Sequence, residues 1–584
     1  MIPPGAVRAR VDDLPAGTAL EFRAPTRVLV AEATADVVPV LAEVERATAG
    51  GSWAVGYVGY EAAAGLDPAL PVHPRDEDAP PLAVFALCDR AEPVAPIAPP
   101  PGLARGYSVG PWRRGWSEEG HRADVERVRA RIAAGETYQL NLTTRLTADV
   151  SGDLEQLYAD LAWAQRGAHA AYLDLGRWVV ASASPELFVE WSPGRLLTRP
   201  MKGTARRGRD AAEDARARAR LLASDKERAE NLMIVDLLRN DLGRVAEVGS
   251  VAVPALFTAE RYETVWQLTS DVTARPAPGT GLVEVFRALF PSGSVTGAPK
   301  HRSMRLIRDL EPGPRGVYCG AVGVVAPPGH PWRARFNVAI RTLTVDRGTG
   351  TATYGTGGGI TWSSDPAAEH AELLAKTAIL AEPYEEFALL ETMAHRTGTG
   401  VRDVDRHLDR MAASAAYVGF PFDRAAAVEL LEQVDGPARV RLLLHRDGAV
   451  AVTTSPLPEP ADGPVRLAVD DRPVDTGSPW LRHKTTRRGV YRDAAARHPD
   501  ADDVVLVDER GRVTETTIAN LAVCLEGRWW TPPLDVGCLP GVERGRLVES
   551  GELAERELTV DDLHRAEALA VVSSLRGWRP AVLD

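Results

Sequence analysis

Apolar and polar positions change between two spacings along residues 117–380. Apolar residues recur at the helical spacing in four stretches: 117–134, 210–241, 300–310 and 366–380. Alternating or continuous apolar runs, which are typical of strands, lie between them: 137–144, 169–173, 178–181, 187–191, 261–272, 316–325, 336–345 and 351–360. Runs of strands with inserted helices predict a large α+β unit.

Two breaks in this pattern predict the domain boundaries. Residues 90–116 are rich in proline and glycine, which is typical of a loop between an amino-terminal lobe and a main lobe. The periodicity restarts at Phe387, directly after the short segment Glu382-Pro-Tyr-Glu-Glu. We therefore expect an N-terminal lobe over 1–110, a main domain over 111–382 and a second module over 387–584.

The composition indicates which partners and which cellular compartment to expect. The 584 residues carry a formal net charge of −12, which argues against a nucleic-acid-binding face. The four cysteines form no C-x-x-C pair, so a zinc or thiol-redox motif is not expected, and scattered thiols are typical of a reducing compartment. A signal-peptide core and an apolar run that could span a bilayer are both lacking, so we expect a cytoplasmic protein without a membrane partner.

The last predicted helix of the main domain carries candidate ligands for a cation. Ser364-Asp365-Pro366 is a helix start, with a capping side chain followed by proline. Glu369, Glu372 and Lys376 then share one helix face, because they are spaced by three and four positions. Two carboxylates could bind a hard cation such as Mg²⁺, and the lysine could meet a substrate carboxylate. Taken alone, an exposed salt-bridged face explains these residues better.

A second capped helix and two small-residue turns add to this pattern. Ser224 to Glu227 has capping-box spacing, and Glu230 precedes a buried apolar run, where a carboxylate is costly unless it is paired or metal-bound. The turn Pro291–Lys300 opens a helix and exposes backbone N–H groups that suit an anion. Gly357-Gly-Gly follows a strand and allows a ligand to approach the backbone closely.

These segments together resemble the chorismate-utilising enzymes, which include anthranilate, isochorismate and aminodeoxychorismate synthases. Six motifs occur in the order that this family shows: Gly135–Asn141, Ser184–Phe188, Arg199–Thr204, Ala229–Leu237, Pro291–Lys300 and Glu369–Lys376. The resemblance covers residues 115–380 densely, and it implies a large α/β sandwich, Mg²⁺ dependence and chorismate as substrate. It also implies metal ligands and substrate-binding residues. The implied metal ligands are Glu230 and Glu372, with Glu369 nearby, and the implied substrate contacts are Gln139, Thr296, Tyr318, Arg341, Gly357, Gly358, Gly359 and Lys376.

One lysine distinguishes between members of this family. The chain has Pro-Met-Lys202-Gly-Thr where anthranilate synthases typically have Pro-Ile-Ala-Gly-Thr, and aminodeoxychorismate synthases carry the lysine. A neutral amine there can attack C2 of the ring and expel the C4 hydroxyl, after which ammonia enters at C4 and expels the lysine. Glu186 matches the family's general acid, and we expect its pKa to be raised. A simple anion contact or a surface lysine is the less favoured interpretation of Lys202.

Two glutamines and the cysteines refine this interpretation. Gln139 resembles the position at which isochorismate synthases carry a water-activating lysine, and Gln267 the position at which anthranilate synthases carry histidine. The first difference argues against hydroxylation, and the second points away from anthranilate synthases. No cysteine lies on a G-x-C-x-G turn, so the chain lacks a glutaminase nucleophile. We expect a separate glutamine amidotransferase partner that supplies ammonia.

The second module contains the residues that pyridoxal phosphate requires. The cofactor needs a lysine, an acid facing its pyridine nitrogen and a phosphate cup. Lys484 and Glu515 suit the first two roles, and Arg410, which opens a predicted helix, could bind the phosphate. The turn Gly537–Arg544 before another helix suits a phosphate cup, and Ser573-Ser offers hydroxyls.

This segment resembles the fold-type IV aminotransferases, which include branched-chain and D-amino-acid aminotransferases and aminodeoxychorismate lyases. The E-x-T-x-x-N signature of the family stands at Glu515–Asn520, and Arg488 follows Lys484 by four residues, as in the lyases. The resemblance implies bound pyridoxal 5′-phosphate and an elimination reaction in which Lys484 moves protons. The cofactor-binding residues that it implies are Arg410, Lys484, Glu515, Thr516, Val542 and Ser574.

The two resemblances predict one reaction sequence. Chorismate would be aminated to 4-amino-4-deoxychorismate, and elimination of pyruvate would give 4-aminobenzoate. Two alternatives stay open: an anthranilate-type synthase fused to an amino-acid transaminase, and a second module that is only a dimerisation scaffold. Lyases of this family are commonly dimers, so a homodimer through the second module is also considered.

Overall fold

The computed structural model describes residues 3, 5, 7–100, 104–381, 383–459 and 463–584. Glu382, the predicted end of the main domain, lies outside the described residues. The chain divides into two compact units, one of residues 1–206 and 218–384 and one of residues 207–217 and 385–584. Within the described residues, no helix combines the length and the apolar character that crossing a membrane requires.

The described helices lie between groups of strands in both units. The helices are α1 Thr34–Ala49, α2 Ala63–Leu66, α3 Glu118–Ala133, α4 Leu154–Gln165, α5 Ala211–Ala223, α6 Asp225–Gly243, α7 Leu282–Leu289, α8 Lys300–Leu310, α9 Pro366–Thr377, α10 Val404–Val418, α11 Arg424–Glu432, α12 Gly489–Arg497, α13 Val542–Glu549 and α14 Val560–Arg565.

The strands of the first unit are β1 Val7–Asp13, β2 Thr18–Phe22, β3 Arg27–Ala31, β4 Trp53–Val58, β5 Ala83–Cys88, β6 Glu92–Val94, β7 Tyr107–Val109, β8 Arg113–Arg114, β9 Gln139–Gly152, β10 His169–Leu175, β11 Trp178–Ser184, β12 Leu187–Ser192, β13 Arg195–Arg199, β14 Met201–Arg206, β15 Ala252–Arg261, β16 Val265–Ala274, β17 Gly297–Ala298, β18 Ala321–Val325, β19 Ala334–Val338, β20 Thr342–Asp346 and β21 Thr351–Ile360. Those of the second unit are β22 Leu389–Arg396, β23 Gly400–Val401, β24 Ala438–Leu444, β25 Val450–Ser455, β26 Val465–Val469, β27 Asp503–Val507, β28 Val513–Thr516, β29 Asn520–Leu525, β30 Arg528–Thr531, β31 Ala554–Glu555, β32 Ala568–Ser573 and β33 Gly577–Leu583.

Two sheets form the first unit. One sheet has the strand order β17-β9-β21-β20-β11-β10-β1-β2-β6, with β7 and β8 also paired to β9. The other has the order β14-β16-β13-β12-β19-β18-β4-β5-β3, with β15 paired to β16. Strands of residues 7–94 take part in both sheets, so they belong to the same compact unit as the strands of the main domain.

Apolar side chains from both sheets meet in one buried cluster. Leu173 and Val180 come from the first sheet, and Val84 and Val322 come from the second. Other clusters pack α4 against the first sheet and α1, α6 and α7 against the second, so that helices cover the outer faces. This arrangement is an α/β sandwich, and the predicted α+β class is confirmed.

The second unit has two sheets of its own. The smaller has the order β23-β22-β24-β25, and the larger has the order β28-β27-β26-β33-β32-β29-β30-β31. The larger sheet is mixed, because β26 pairs in parallel with both β27 and β33. Each sheet carries a separate apolar core.

Several predicted elements are confirmed, and others are divided by the structure. The strand 351–360 and the helix 300–310 have the predicted bounds. The predicted helix 210–241 is broken into α5 and α6, because Ser224 caps a new helix by accepting a hydrogen bond from the Glu227 N–H. The predicted strand 261–272 is confirmed as β16 from Val265 onward, but its start is wrong, since Arg261 ends β15 and a turn leads into β16. The predicted strand 336–345 also divides, at Ala339 to Arg341, where Arg341 has a φ of 52°.

Candidate active sites

The first unit contains a cavity of about 160 Å³ between β14, β21, α6 and α9. Most residues that the sequence singled out for substrate and metal binding line its wall. They are Glu186, Lys202, Glu230, Tyr318, Arg341, Gly357, Gly358, Gly359, Glu369, Glu372 and Lys376. Residues that are distant in sequence are therefore brought to one cavity by the strand order of the two sheets.

A hydrogen bond and a neighbouring glycine define the position of Lys202. The backbone carbonyl of Lys202 accepts a hydrogen bond of 3.1 Å from the Asn231 side chain on α6. Asn231 is fully buried, and its amide also donates to the Leu268 carbonyl while Ser270 donates to its oxygen. A Cβ atom on Gly359 would lie 2.1 Å from Nζ of Lys202, so only glycine leaves space for the amine at this point of β21.

Glu186 lies beside Lys202 in the loop between β11 and β12. Its side chain is 3% exposed, and its Oε1 accepts a hydrogen bond of 2.5 Å from Ser294. Burial raises the pKa of Glu186 to about 7, although the Ser294 hydrogen bond and the charge of Lys202 act in the opposite direction. The predicted raised pKa is confirmed. A carboxyl group with this pKa can hold a proton at neutral pH and donate it.

The opposite wall presents cations and a tyrosine. Lys376 donates to the Gly357 carbonyl at 2.8 Å, and the Arg341 guanidinium donates to the Lys376 carbonyl. Tyr318 packs against Gly355, where a Cβ atom would lie 2.2 Å from the ring. Arg341 and Lys376 provide two positive charges for a substrate that carries carboxylates.

Two predicted substrate contacts lie behind the wall of the cavity. Thr296 is fully buried, and its hydroxyl donates to the Ser292 carbonyl. Gln139 is also fully buried, and a Cβ atom on Gly359 would lie 2.6 Å from its Nε2. In the described part of the chain, neither amide atom of Gln139 has a hydrogen-bond partner. The Gln139 amide and the Lys202 amine therefore lie near each other, on the same side of Gly359.

Four glutamates from α6 and α9 line the same cavity: Glu227, Glu230, Glu369 and Glu372. Burial raises the pKa of Glu227 and of Glu369, and neighbouring carboxylates act in the same direction. Lys376 pairs with Glu372 at 2.8 Å and lowers its pKa. Among the described residues, no three of these carboxylates have oxygens within 4.8 Å of one another. Their chemistry still fits a hard cation such as Mg²⁺, because they are oxygen ligands whose mutual repulsion a cation would relieve.

The second unit contains a larger cavity, of about 390 Å³. Its wall includes all six residues that the sequence indicated for the cofactor: Arg410, Lys484, Glu515, Thr516, Val542 and Ser574. Lys484 lies in a loop beside β22. Its backbone carbonyl accepts a hydrogen bond of 2.9 Å from the Leu390 N–H of that strand. Burial, with Arg410 and Arg488 nearby, lowers the pKa of Lys484 to about 8. A lysine with a lowered pKa is suited to condense with an aldehyde and to transfer protons.

Glu515 is held by two donors in this cavity. The Tyr491 hydroxyl donates to its Oε1 at 2.8 Å, and the Leu539 N–H donates to its Oε2 at 3.2 Å. Burial raises the pKa of Glu515 to about 7, against these hydrogen bonds and the charge of Lys484. Such a buried carboxyl would bind a protonated pyridine nitrogen strongly. Tyr491 was not found from the sequence, since tyrosine in a helix carries no signal of this role.

A buried ionic network supports Arg410. Its guanidinium donates to both oxygens of Glu391, at 2.8 and 2.5 Å. His407 links Glu391 to the Ser574 hydroxyl through contacts of 2.6 and 2.8 Å. Although burial opposes it, Arg410 and His407 hold the pKa of Glu391 at about 2. The prediction that Arg410 opens a helix is wrong, because α10 begins at Val404.

The N-terminus of α13 completes a cup suited to phosphate. Gly541 precedes Val542, and Asn520 of the E-x-T-x-x-N signature donates to the Leu539 carbonyl at 3.0 Å in the same turn. Free N–H groups at this helix start, with Arg410 and Ser574, supply the donors that a phosphate needs. Together with Lys484 and Glu515, these residues fit pyridoxal phosphate.

Replacing Gly541 with alanine tests the cup. The added Cβ would lie 1.9 Å from Oδ1 of Asn520, so the turn must shift. We expect Gly541→Ala to weaken cofactor binding by about tenfold or more, measured by titration of the apo-protein with pyridoxal phosphate. Gly545→Ala is the matched control, because a Cβ there meets no atom within 4 Å. Equal affinities for both variants would contradict this assignment of the cup.

The fold and the two cavities define a chain that joins a chorismate-binding fold to a class IV aminotransferase fold. Residues 16–382 match the family model described as chorismate binding enzyme, and residues 388–583 match the model described as amino-transferase class IV. The chain belongs to the chorismate-binding enzyme family, since that match covers well over half of it. The resemblance to both families is thereby confirmed.

Curated relatives are similar to part of this chain. Aminodeoxychorismate synthase component 1 of Klebsiella aerogenes is 42% identical over 265 residues, which are 45% of this chain and 58% of that protein. Anthranilate synthase component 1 of Streptomyces coelicolor is 41% identical over 268 residues, which are 46% of this chain and 51% of that protein. The chain thus spans between half and three fifths of the length of these relatives.

A solved structure is also similar to the first unit. Anthranilate synthase component I from Streptococcus pneumoniae TIGR4 has a TM-score of 0.55 and 26% identity, over 63% of this chain and 93% of that chain. The Klebsiella aerogenes and Streptomyces coelicolor relatives have nearly the same identity to the matched part of this chain, so identity alone does not distinguish between the two kinds of synthase.

Proposed function

We propose that this protein makes 4-aminobenzoate from chorismate in two steps, one in each cavity. The observation that carries the proposal is the Lys202 amine, which lies against Gly359 in a cavity that also contains Glu186. Anthranilate synthases typically have alanine where this chain has Lys202. The class IV cavity in the same chain supports a second step that uses the product of the first.

In the first cavity, Lys202 acts as a nucleophile and Glu186 as an acid. The Lys202 amine attacks C2 of chorismate, the ring double bond shifts, and the C4 hydroxyl leaves as water with the proton of Glu186. Ammonia then attacks C4, the double bond returns and the lysine is expelled. The net change is chorismate plus ammonia to 4-amino-4-deoxychorismate plus water. Glu230 and Glu372, with Glu369 nearby, would hold a Mg²⁺ ion that neutralises charge on the substrate carboxylate.

In the second cavity, Lys484 transfers protons while Glu515 faces the pyridine nitrogen. Bound pyridoxal phosphate would supply an electron sink for the ring carbon that carries nitrogen. Lys484 removes the proton from that carbon and delivers a proton to the departing enolpyruvyl methylene, so that pyruvate leaves and the ring becomes aromatic. Arg410, Val542 and Ser574 would hold the phosphate during this reaction.

The ammonia for the first step is proposed to come from a separate glutamine amidotransferase. All four cysteines of the chain are buried: Cys88, Cys319, Cys524 and Cys538. Burial raises the pKa of the Cys88 thiol to about 11 and that of the Cys319 and Cys538 thiols to about 12. Burial, with Glu567, also raises the pKa of Cys524. Thiols of this kind are poor nucleophiles, because the thiolate is the reactive form.

The proposal is tested by the identity of the product. Purified protein is incubated with chorismate, Mg²⁺, ammonium and pyridoxal phosphate, and the products are separated by chromatography. We expect 4-aminobenzoate and pyruvate in equal amounts. The similarity to an anthranilate synthase makes 2-aminobenzoate the competing product, and its fluorescence identifies it. Finding 2-aminobenzoate without the para isomer would overturn the proposal.

The pH dependence of amination tests Glu186. Its acid form is abundant below the pKa of about 7, so kcat/KM for chorismate, at constant free ammonia, should fall as pH rises through 7. Glu186→Gln should remove this limb and lower the maximum by about 10²-fold or more. Ser294→Ala should move the limb to higher pH, since the Ser294 hydrogen bond lowers the pKa. A limb that persists in Glu186→Gln would assign the titration to another group.

A further inference from the structure

Four arginines on the wall of the second cavity have no role in the chemistry described so far. Arg439 and Arg441 lie on β24, Arg576 lies in the turn between β32 and β33, and Arg579 lies on β33. In the part of the chain that the structure describes, none of the four forms an ion pair with a carboxylate. Arg410 differs from them, because Glu391 neutralises it.

The strand neighbours of the β24 pair are uncharged. Arg439 and Arg441 are two residues apart on one strand, so both side chains leave the same face of the sheet. Their partners on the neighbouring strands are Ala394 and Thr392 on β22 and Ser455 and Thr453 on β25. The Nε atoms of both arginines are buried and lack hydrogen-bond partners among the described residues. Half-buried cations without counter-charges are unfavourable unless a ligand supplies the anion.

In the second pair Arg576 is exposed, whereas Arg579 resembles the β24 arginines. Arg579 is half-buried, its Nε is also without a hydrogen-bond partner in the described part of the chain, and it faces Val571 on β32. Burial and the neighbouring Arg576 lower the pKa of Arg579. The nearby carboxylate of Asp503 is occupied by hydrogen bonds from Thr516 and Thr517. The charges of Asp503 and Asp502 act on the pKa of Arg579 in the opposite direction, but among the described residues neither carboxylate forms an ion pair with Arg576 or Arg579.

The positions of these four arginines indicate how many carboxylates a substrate of the second cavity needs. The cofactor phosphate fits the cup of Arg410, Ser574 and the start of α13, which leaves both arginine pairs free for the substrate. The fork of a guanidinium matches a carboxylate, and two separate pairs match two carboxylates. A substrate with one carboxylate, such as an amino acid with an apolar side chain, would leave one pair without an anion.

We infer that this cavity selects a substrate with two carboxylates, one held by Arg439 and Arg441 and the other by Arg576 and Arg579. The inference rests on the proposed function and deepens it, since 4-amino-4-deoxychorismate carries a ring carboxylate and an enolpyruvyl carboxylate. The four arginines are then specificity residues, which position the ring so that the carbon bearing nitrogen faces Lys484.

Binding of two unreactive probes to the cofactor-loaded protein tests this inference. 3-(Carboxymethoxy)benzoate carries two carboxylates and no amine, whereas 3-methoxybenzoate has a similar shape and one carboxylate. We expect calorimetry to show that the dianion binds about ten- to a hundredfold more tightly. Arg441→Gln and Arg576→Gln should each remove most of this difference, and Arg441→Lys should restore part of it.

The control variant is Arg510→Gln, which removes an exposed positive charge outside the cavity and should keep the full difference. Cofactor absorbance and the melting temperature show that each variant is folded and loaded. Equal affinity of the wild-type protein for both probes would overturn the inference, as would an unchanged preference in both glutamine variants. The proposed function fails separately. If the protein binds the dianion selectively but forms no 4-aminobenzoate, the proposed function is wrong and the inference about the arginines stands.

Discussion

Replacing Lys202 with alanine is expected to lower kcat/KM for amination of chorismate by about 10³-fold or more. The amine of Lys202 lies against Gly359 in the first cavity, and alanine leaves no nucleophile to attack C2. Wild-type protein incubated with chorismate and Mg²⁺ without ammonia should retain the substrate, less one water, on the peptide that contains Lys202. Mass spectrometry of a digest measures this adduct, and the alanine variant should lack it.

The control for this variant is Arg220→Ala, which removes an exposed cation from α5 and should leave amination unchanged. Asn231→Ala provides an intermediate case, because Lys202 stays but loses the hydrogen bond to its carbonyl. If Lys202→Ala aminated chorismate at the wild-type rate, the covalent role of this lysine would be disproved, while the fold and the second step would be unaffected.

Replacing Lys484 with alanine should stop the second step and leave the first intact. Lys484 is the lysine that lines the cavity of the second unit, and burial and nearby arginines lower its pKa to about 8. We expect 4-aminobenzoate formation to fall by about 10³-fold or more, with 4-amino-4-deoxychorismate accumulating in its place. Chromatography measures both compounds, and the rate of chorismate consumption is the internal control.

A second measurement shows whether Lys484 carries the cofactor. Borohydride reduction of the loaded wild-type protein should fix pyridoxal phosphate to the peptide containing Lys484, and the same treatment of Lys484→Ala should not. Arg472→Ala removes an exposed cation from the same unit and should keep both the label and the activity. Release of 4-aminobenzoate at the wild-type rate by Lys484→Ala would show that another base moves the protons.

Much of the candidate chemistry could be predicted because it depends on short patterns. The caps at Ser224 and Asp365 are confirmed, since a capping side chain bonds to N–H groups only two or three residues away. The strand 351–360 and the helix 300–310 have the predicted bounds because one face of each is apolar at a regular spacing. Lys202, Glu186, Lys484 and Glu515 each stand in a local motif.

Other elements were predicted less well, since their limits depend on distant partners. The predicted strand 261–272 runs across the turn between β15 and β16, because residues 262–264 contain neither glycine nor proline. Strands of residues 7–94 enter both sheets of the first unit, although the proline-rich segment after them suggested a separate lobe. Pairing between strands far apart in sequence leaves no local pattern.

The sequence by itself determined the two family resemblances, the α+β class, the order of the motifs and the residues that would react. Only the tertiary structure decided which groups support them. Asn231 reaches the carbonyls of Lys202 and Leu268, Glu391 joins His407 to Arg410, and both pairs of unpartnered arginines face one cavity. The physical reason is that hydrogen bonds and burial link residues by distance in space, whereas spacing along the chain reports only on neighbours within a turn or a strand.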